Sequence, residues 1–338
     1  MIKTGEKEFP VLSDILENVA YDKENYVNNN PAFFLLTNVV QKSKKDGNPY
    51  YSCSVRDSKT VLSANIWEWE EGQEPISGVV ALATYSYKRK YGLSLKIRKL
   101  YTLEELNNHI DDAFSIFLPR VENIENLKDE LSDLIQGIEN AFLKELLEKT
   151  ISPGDGEIKG FFLAPAATKN HHVKIGGLLE HSVNVAKLCK IVARTFGDDI
   201  DMDLLIAGAL LHDIGKVQTY DYKSYSFEFT DEGLLEDHIV LGIKKLAVVI
   251  GKIDGFPKEI EQNLFHIVAS HHGLKEWGSP VVPRTLEAII IHNCDRLEAQ
   301  MEAFRELARS VPKGGSWSDY SGILGTKVFV YGKYGEDT

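Results

Sequence analysis

The stretch Leu210-Leu211-His212-Asp213-Ile214-Gly215-Lys216 sets an imidazole beside a carboxylate at the end of an apolar run that starts at Leu204. Adjacent side chains diverge by roughly 100° on a continuous helix, so both groups face one ion only where the helix is ending. Gly215 is expected to supply that ending by freeing the backbone to turn. Alone, such a dipeptide is more often a buried histidine and a helix-terminal aspartate than a metal site. Here it has company. His181 lies one helix upstream in Gly176-Gly177-Leu178-Leu179-Glu180-His181-Ser182, and Asp295 lies downstream in Ile291-His292-Asn293-Cys294-Asp295-Arg296.

Of the ten histidines, nine fall between positions 171 and 292, which chance would not arrange. His181, His212, Asp213 and Asp295 would fill a mononuclear site. His238, in Glu236-Asp237-His238, and His271-His272, in Ser270-His271-His272-Gly273, remain for a second ion, with Asp213 able to bridge the two. Mixed imidazole and carboxylate ligation suits Mn²⁺, Fe²⁺, Zn²⁺ or Co²⁺ better than Mg²⁺, and manganese is expected first. His266 and His292 read instead as hydrogen-bonded structural residues.

The elements that must position these ligands are helical. From Phe161 to about Arg309 the chain reads as an all-α domain, 153–311, preceded by a helical linker, 104–152. Where the barrel gives way to that linker, Thr102 with Glu105 resembles a capping box, followed by Leu106, Ile110, Ala113, Phe114 and Phe117 at helical spacing. A further helix-like stretch carries Ile124, Leu127, Leu131, Leu134, Ile135, Ile138, Phe142 and Leu146. Upstream, after an N-terminal segment (1–30) that closes on the break signal Asn28-Asn29-Asn30-Pro31, residues 31–103 change texture. Tyr51, Cys53 and Val55, then Leu62, Ala64 and Ile66, then Leu93, Leu95 and Ile97 alternate with polar neighbours. Five such short strands predict a small β-barrel, for which an OB-fold is the economical choice. The fold class is therefore multidomain α+β, a barrel followed by a helical domain. The tail, 312–338, holds one candidate strand, Lys327 to Tyr331, without an evident partner, and is assigned no function.

At 338 residues and 43% hydrophobic the chain has ample material for two cores. No apolar run reaches the length of a membrane span, and Met1 to Pro10 carries four charged residues rather than a signal-peptide core. A cytoplasmic protein is expected. Cys53, Cys189 and Cys294 are too dispersed for a disulfide framework. A net charge of −12 argues against bulk attraction to nucleic acid, yet between Glu74 and Glu104 there is no acidic residue. Lys88, Arg89, Lys90, Lys96, Arg98 and Lys99 fall there among Tyr85, Tyr87 and Tyr91. Cations that track phosphates and rings that stack on bases suit single-stranded nucleic acid. Tyr50, Arg56 and Trp67 are expected on the exposed barrel face beside Tyr85, Tyr87, Lys88, Arg89 and Tyr91. Ordinary solvated strands with tyrosines at the barrel ends would show the same composition.

The pattern His181, His212-Asp213, Asp295 resembles the HD superfamily of metal-dependent phosphohydrolases, and His238 with His271-His272 resembles its binuclear members. More specifically the chain is similar to the YhaM family of 3′-to-5′ exoribonucleases, which join an N-terminal OB-fold to an HD domain. Gly176 to His181, Leu211 to Lys216, Ser270 to Gly273 with Gly278-Ser279-Pro280, and Glu287-Ala288 leading to Asp295 carry the likeness. Three positions depart from it: Asp237 stands where a glycine is expected, Glu298 replaces a second aspartate, and Asp57-Ser58-Lys59-Thr60 lacks a glycine turn.

The resemblance implies hydrolysis of phosphodiesters in single-stranded RNA, with DNA as a second candidate, at two ions bridged by Asp213; its polarity comes from the resemblance alone. Asp213 and His212 sit at the catalytic centre, and Lys216 is placed to stabilise developing negative charge. His171, His172 and Lys174 are second-rank candidates for contacting the substrate phosphate. Two other readings stay open: a phosphohydrolase of nucleotides or cyclic dinucleotides, and a non-catalytic nucleic-acid-binding protein. A homo-oligomer is compatible with all three, and no membrane partner is expected.

Overall fold

The computed structural model describes residues 2–331 apart from 5–6, 20–24, 71, 89–91, 109, 111–112, 154–155, 168–173 and 312–314. The chain divides into two compact units, Met1–Arg120 with Asp221–Phe227, and Val121–Tyr220 with Glu228–Thr338. Strands β1 (Ile2–Thr4) and β2 (Lys7–Phe9), helix α1 (Leu12–Val19), strands β3 (Asn25–Ser43), β4 (Pro49–Arg56), β5 (Val61–Glu68), β6 (Val79–Lys88) and β7 (Gly92–Thr102), and helices α2 (Leu103–Asn107) and α3 (Ala113–Phe117) belong to the first unit. The second holds α4 (Ile124–Gln136), α5 (Ala141–Ile151), α6 (Gly177–Phe196), α7 (Met202–Leu211), α8 (Lys216–Thr219), α9 (Asp231–Ile250), α10 (Lys258–Ser270) and α11 (Leu286–Ser310), then β8 (Trp317–Ser321) and β9 (Thr326–Phe329).

Strands β3 to β7 close a barrel in the order β3-β4-β5-β7-β6, with β6 returning to β3. The β5–β7 pair is parallel and the other pairs antiparallel, the OB-type arrangement expected from the sequence. Period-two alternation turns Cys53, Val55, Ala64, Ile66, Leu93, Leu95 and Ile97 into the core. The break signal before Ala32 behaves differently: β3 starts at Asn25 and runs through it, with its register to β6 shifting between Asn28 and Ala32. Pro31 has no N–H to give a ladder, and a bulge is where a strand accommodates one. The glycine missing from the turn after β4 is replaced by Asp57, whose carboxylate accepts hydrogen bonds from the Lys59 and Thr60 amides, each at 2.9 Å.

The Thr102–Glu105 capping box forms as predicted, but α2 stops at Asn107 and α3 starts afresh at Ala113. The next helical stretch likewise divides, because Gly137 ends α4 and the Asn140 side chain caps α5 by accepting from Phe142 and Leu143. Helix α7 is buried from Leu204 to Leu211, as an all-apolar run must be, and Asp201 caps its start by accepting from Leu204 N. Around it pack α6, α10 and α11. In the tail, β9 does find a partner: it pairs with β8, and Val328 and Val330 pack on Ala308 and Val311 at the end of α11. Among the described residues no helix is long and apolar enough to cross a membrane.

Candidate metal centre

Five helices deliver the histidines and carboxylates to one place in the second unit. His212 caps the C-terminus of α7 and His271 caps that of α10. Both helices therefore turn the negative ends of their dipoles toward the same spot, which favours a cation there. His181 comes from the second turn of α6, His238 from α9 and Asp295 from the middle of α11. The HD pair falls in a turn between α7 and α8, so the two adjacent side chains converge as the sequence demanded. Gly215 contributes otherwise than expected. Its dihedrals are ordinary right-handed helical ones, φ −65° and ψ −22°, and its lack of a side chain is what matters, since a Cβ there would lie 1.9 Å from the His238 carbonyl oxygen.

Two clusters result. His181, His212 and Asp213 present donor atoms within 4.8 Å of one another, and so do His238, His271 and His272. Asp213 faces both. Its Oδ2 lies 3.4 Å from His181 Nε2 and 3.4 Å from His212 Nε2, while its Oδ1 lies 3.6 Å from His238 Nε2 and 3.5 Å from His271 Nε2. Asp295 Oδ1 joins the first cluster, 3.2 Å from His181 Nε2.

The tautomers follow from the outer hydrogen bonds. His212 Nδ1–H donates to the Ala209 carbonyl at 2.7 Å, His271 to Val268 at 2.8 Å and His272 to Trp277 at 2.9 Å. His181 and His238 donate from Nδ1 to the carboxylates of Glu298 and Asp237. A carbonyl or carboxylate oxygen can only accept, so each Nδ1 carries a proton and Nε2 is the atom each ring turns toward the cluster. Those Nε2 atoms face one another, 3.2 Å apart for His181 and His212 and 3.4 Å for His238 and His271. The opposed lone pairs of His238 and His271 repel unless a cation lies between them, and the His181 ring shares its Nε2 proton with the aspartates until an ion replaces it. Asp213 Oδ1 is buried and, among the described residues, has no hydrogen-bond partner. An orphaned carboxylate oxygen among imidazole lone pairs is a donor set that divalent ions fit.

Charge states agree. Burial works against ionised Asp213, yet Lys216 and His212, with hydrogen bonding from His181, hold its carboxyl well below the usual range. Asp295 is held low in the same way, chiefly by the hydrogen bond from His181 against its burial. Burial pushes His238 and His271 down, and His272 to about 4, so these rings stay neutral as ligands must. Burial also opposes protonation of His181, but Glu298 and the two aspartates outweigh it and raise that ring well above its ordinary value. Lys216 pairs with Asp213 Oδ2 and is raised despite its burial.

Two supporting residues stood in the sequence only as departures. Glu298 is buried and accepts the Nδ1 proton of His181 at 2.8 Å. Asp237 has φ 62° and ψ 160°, a conformation in which glycine is the ordinary occupant. There its carboxylate accepts from both the amide and Nδ1 of His238. His266 and His292 are tied as structural residues, His266 Nε2 accepting from Arg284 N and His292 Nδ1 donating to the His271 carbonyl. Lys174 forms an ion pair with Glu180 at 2.7 Å. His171 and His172 lie outside the described residues.

On the barrel, Tyr50 and Trp67 stack at 4.7 Å with ring planes 16° apart. The Trp67 indole N–H donates to Ser94 Oγ, and Lys44 Nζ sits 5.5 Å from its ring centroid. Lys88 is exposed and Tyr87 half-buried at the end of β6. Two residues expected on this face are elsewhere. Tyr85 shares the inward face of β6 with Ala81 and Ala83, buried with its ring edge-on to Phe34. Arg56 is buried because Asp221–Phe227 returns to this unit and covers it: the guanidinium donates to the Tyr225 carbonyl and lies over the Phe227 ring. Arg89 and Tyr91 lie outside the described residues.

Fold and site together define an HD-domain, metal-dependent phosphohydrolase, and residues 178–300 match the HD domain family. An HD domain that follows an OB-like barrel is the arrangement implied by the resemblance to the YhaM-type exoribonucleases. It is 28% identical over 284 residues to the 3′-5′ exoribonuclease YhaM of Bacillus subtilis strain 168, covering 83% of this chain and 88% of that one. To the protein of the same name from Listeria monocytogenes serotype 4b strain CLIP80459 it is 29% identical over 287 residues, with the same shares covered. No solved structure matches the chain.

Proposed function

We propose that the chain is a metal-dependent 3′-to-5′ exoribonuclease that hydrolyses single-stranded RNA, with single-stranded DNA as a second substrate, in the cytoplasm. One observation carries this reading: Asp213 divides its two oxygens between two imidazole clusters. His181, His212, Asp213 and Asp295 would hold one divalent ion, and His238, His271 and His272 a second that shares Asp213. Manganese is the first candidate, then iron, zinc, cobalt and magnesium. Bound there, such ions lower the pKa of a water and draw charge from a non-bridging phosphate oxygen.

The protein's own part is to keep that chemistry in register. Imidazoles fixed by their outer hydrogen bonds aim their Nε2 atoms inward. The Lys216 ammonium stays protonated at the edge of the cluster, where negative charge grows as the phosphorus–oxygen bond breaks. The polarity follows the relatives' name, and His171, His172 and Lys174 remain the residues proposed to meet the phosphate. The barrel, taken as residues 31–103, would hold the strand through the Tyr50–Trp67 stack with Lys44, Tyr87 and Lys88 beside it.

The test is incubation of the purified protein with a metal panel and 5′-labelled RNA, in parallel with free nucleotides and cyclic dinucleotides. A stepwise ladder that Asp213→Asn abolishes is expected. Turnover of a small nucleotide with RNA left intact under every metal would overturn the proposal.

A further inference from the structure

Beside the second cluster the HD unit has a cavity of about 440 Å³, within the range that small ligands occupy. Its lining includes His272 and Asp295 of the metal centre, Trp277 and Arg296, and Gly322 and Ile323. The last two belong to the turn between β8 and β9, the tail hairpin for which the sequence offered no role.

Trp277 is held in place by its own backbone. Its carbonyl accepts the Nδ1 proton of His272, so the residue is tied to the metal cluster, while its side chain remains 45% exposed. The Arg296 guanidinium carbon lies 4.7 Å from its ring centroid. Arg296 also follows Asp295 directly in α11, which puts a cation one residue from a candidate ligand. An anchored indole with a guanidinium over one face and the other face left for a base, in a cavity that His272 and Asp295 of the centre also line, makes a nucleotide-shaped combination.

We propose that this cavity receives the terminal nucleoside of the strand, its base stacked on the Trp277 indole and its phosphate met by Arg296. The inference rests on the nuclease reading above and gives that site its base-binding half. Stacking on a ring accepts every base, which an enzyme that removes successive nucleotides requires.

Two 5′-labelled RNAs test it, one intact and one with an abasic 3′-terminal residue, compared as KM on wild type, Trp277→Ala and Trp277→Phe. A stacked base is worth roughly 5- to 150-fold in binding. Wild type should therefore favour the intact RNA by about tenfold, Trp277→Ala should bring the ratio to within about twofold, and Trp277→Phe should keep most of it. Arg296→Gln should raise KM for both RNAs and reduce the salt slope of log KM by about 0.7. If wild type does not discriminate, or Trp277→Ala leaves the ratio unchanged or harms both RNAs equally, the base site is overturned while the nuclease stands. If wild type shortens neither RNA with any metal, the nuclease reading fails and takes this one with it.

Discussion

His181 Nδ1 lies 2.8 Å from Glu298 Oε2, and that pair decides which nitrogen of the ring faces the cluster. Asn184 donates to the other Glu298 oxygen at 3.2 Å and keeps the carboxylate from rotating. Because Glu298 accepts, His181 presents Nε2 to the cluster and gains basicity as a ligand, releasing its second proton when an ion binds. Replacing Glu298 by Gln should weaken metal binding by about 10- to 100-fold without unfolding the protein. Metal titration followed by calorimetry gives the answer; an unchanged affinity would show that Glu298 has no part in orienting the ring.

Asp237 supplies the matching bond at His238, and at a conformational cost. Its dihedrals belong to a region nearly reserved for glycine, worth about 1–3 kcal/mol of strain for other residues. Asp237→Gly should therefore leave thermal stability equal or higher while weakening the second metal equivalent by about tenfold. A lower Tm together with full two-metal occupancy would contradict this account.

On the barrel, Tyr50 and Trp67 stack with their ring planes 16° apart, and Trp67 is exposed. Trp67→Ala should weaken binding of a short single-stranded RNA by about 1–3 kcal/mol. Tyr85→Phe should change it little, since that ring is buried in the barrel core. Fluorescence anisotropy with labelled RNA measures both, and the reverse order of effects would refute the assignment.

Acid should destabilise the metal-free protein. His238, His271 and His272 are held below their ordinary value in the folded state, chiefly by burial. Unfolded imidazoles take up protons near pH 6.5, whereas His272 resists until about pH 4. In that window the unfolded chain binds more protons, so stability present above pH 6.5 is lost as pH falls. His181, raised in the folded state, contributes stability that is already complete below about pH 6.5 and so does not offset the loss in this window. Calorimetry in chelator should give a Tm that drops between pH 7 and pH 5; a constant or rising Tm would show that the three rings are not held neutral.

The linear order of residues determined a good deal by itself. Strict alternation around Cys53, Ala64 and Leu95 can bury only one face, and five such strands in succession leave few alternatives to a barrel. The helical ending at His212-Asp213 and the recurrence of histidine through 272 required a cluster, since each ligand type is costly to bury without a partner.

Tertiary structure decided the rest, because it turns on distances between residues far apart in the chain. Glu298 lies 117 positions from His181, and nothing local marks it as that ring's acceptor. Arg56 reads as an exposed cation until a segment some 169 positions later covers it. Asp237 looks like a lost glycine, although its side chain performs work that glycine cannot. Gly215 has helical dihedrals, and its need for no side chain exists only because His238 packs on it. The sharing of Asp213 between two clusters is likewise three-dimensional: composition can supply a carboxylate, but only packing chooses where each of its oxygens points.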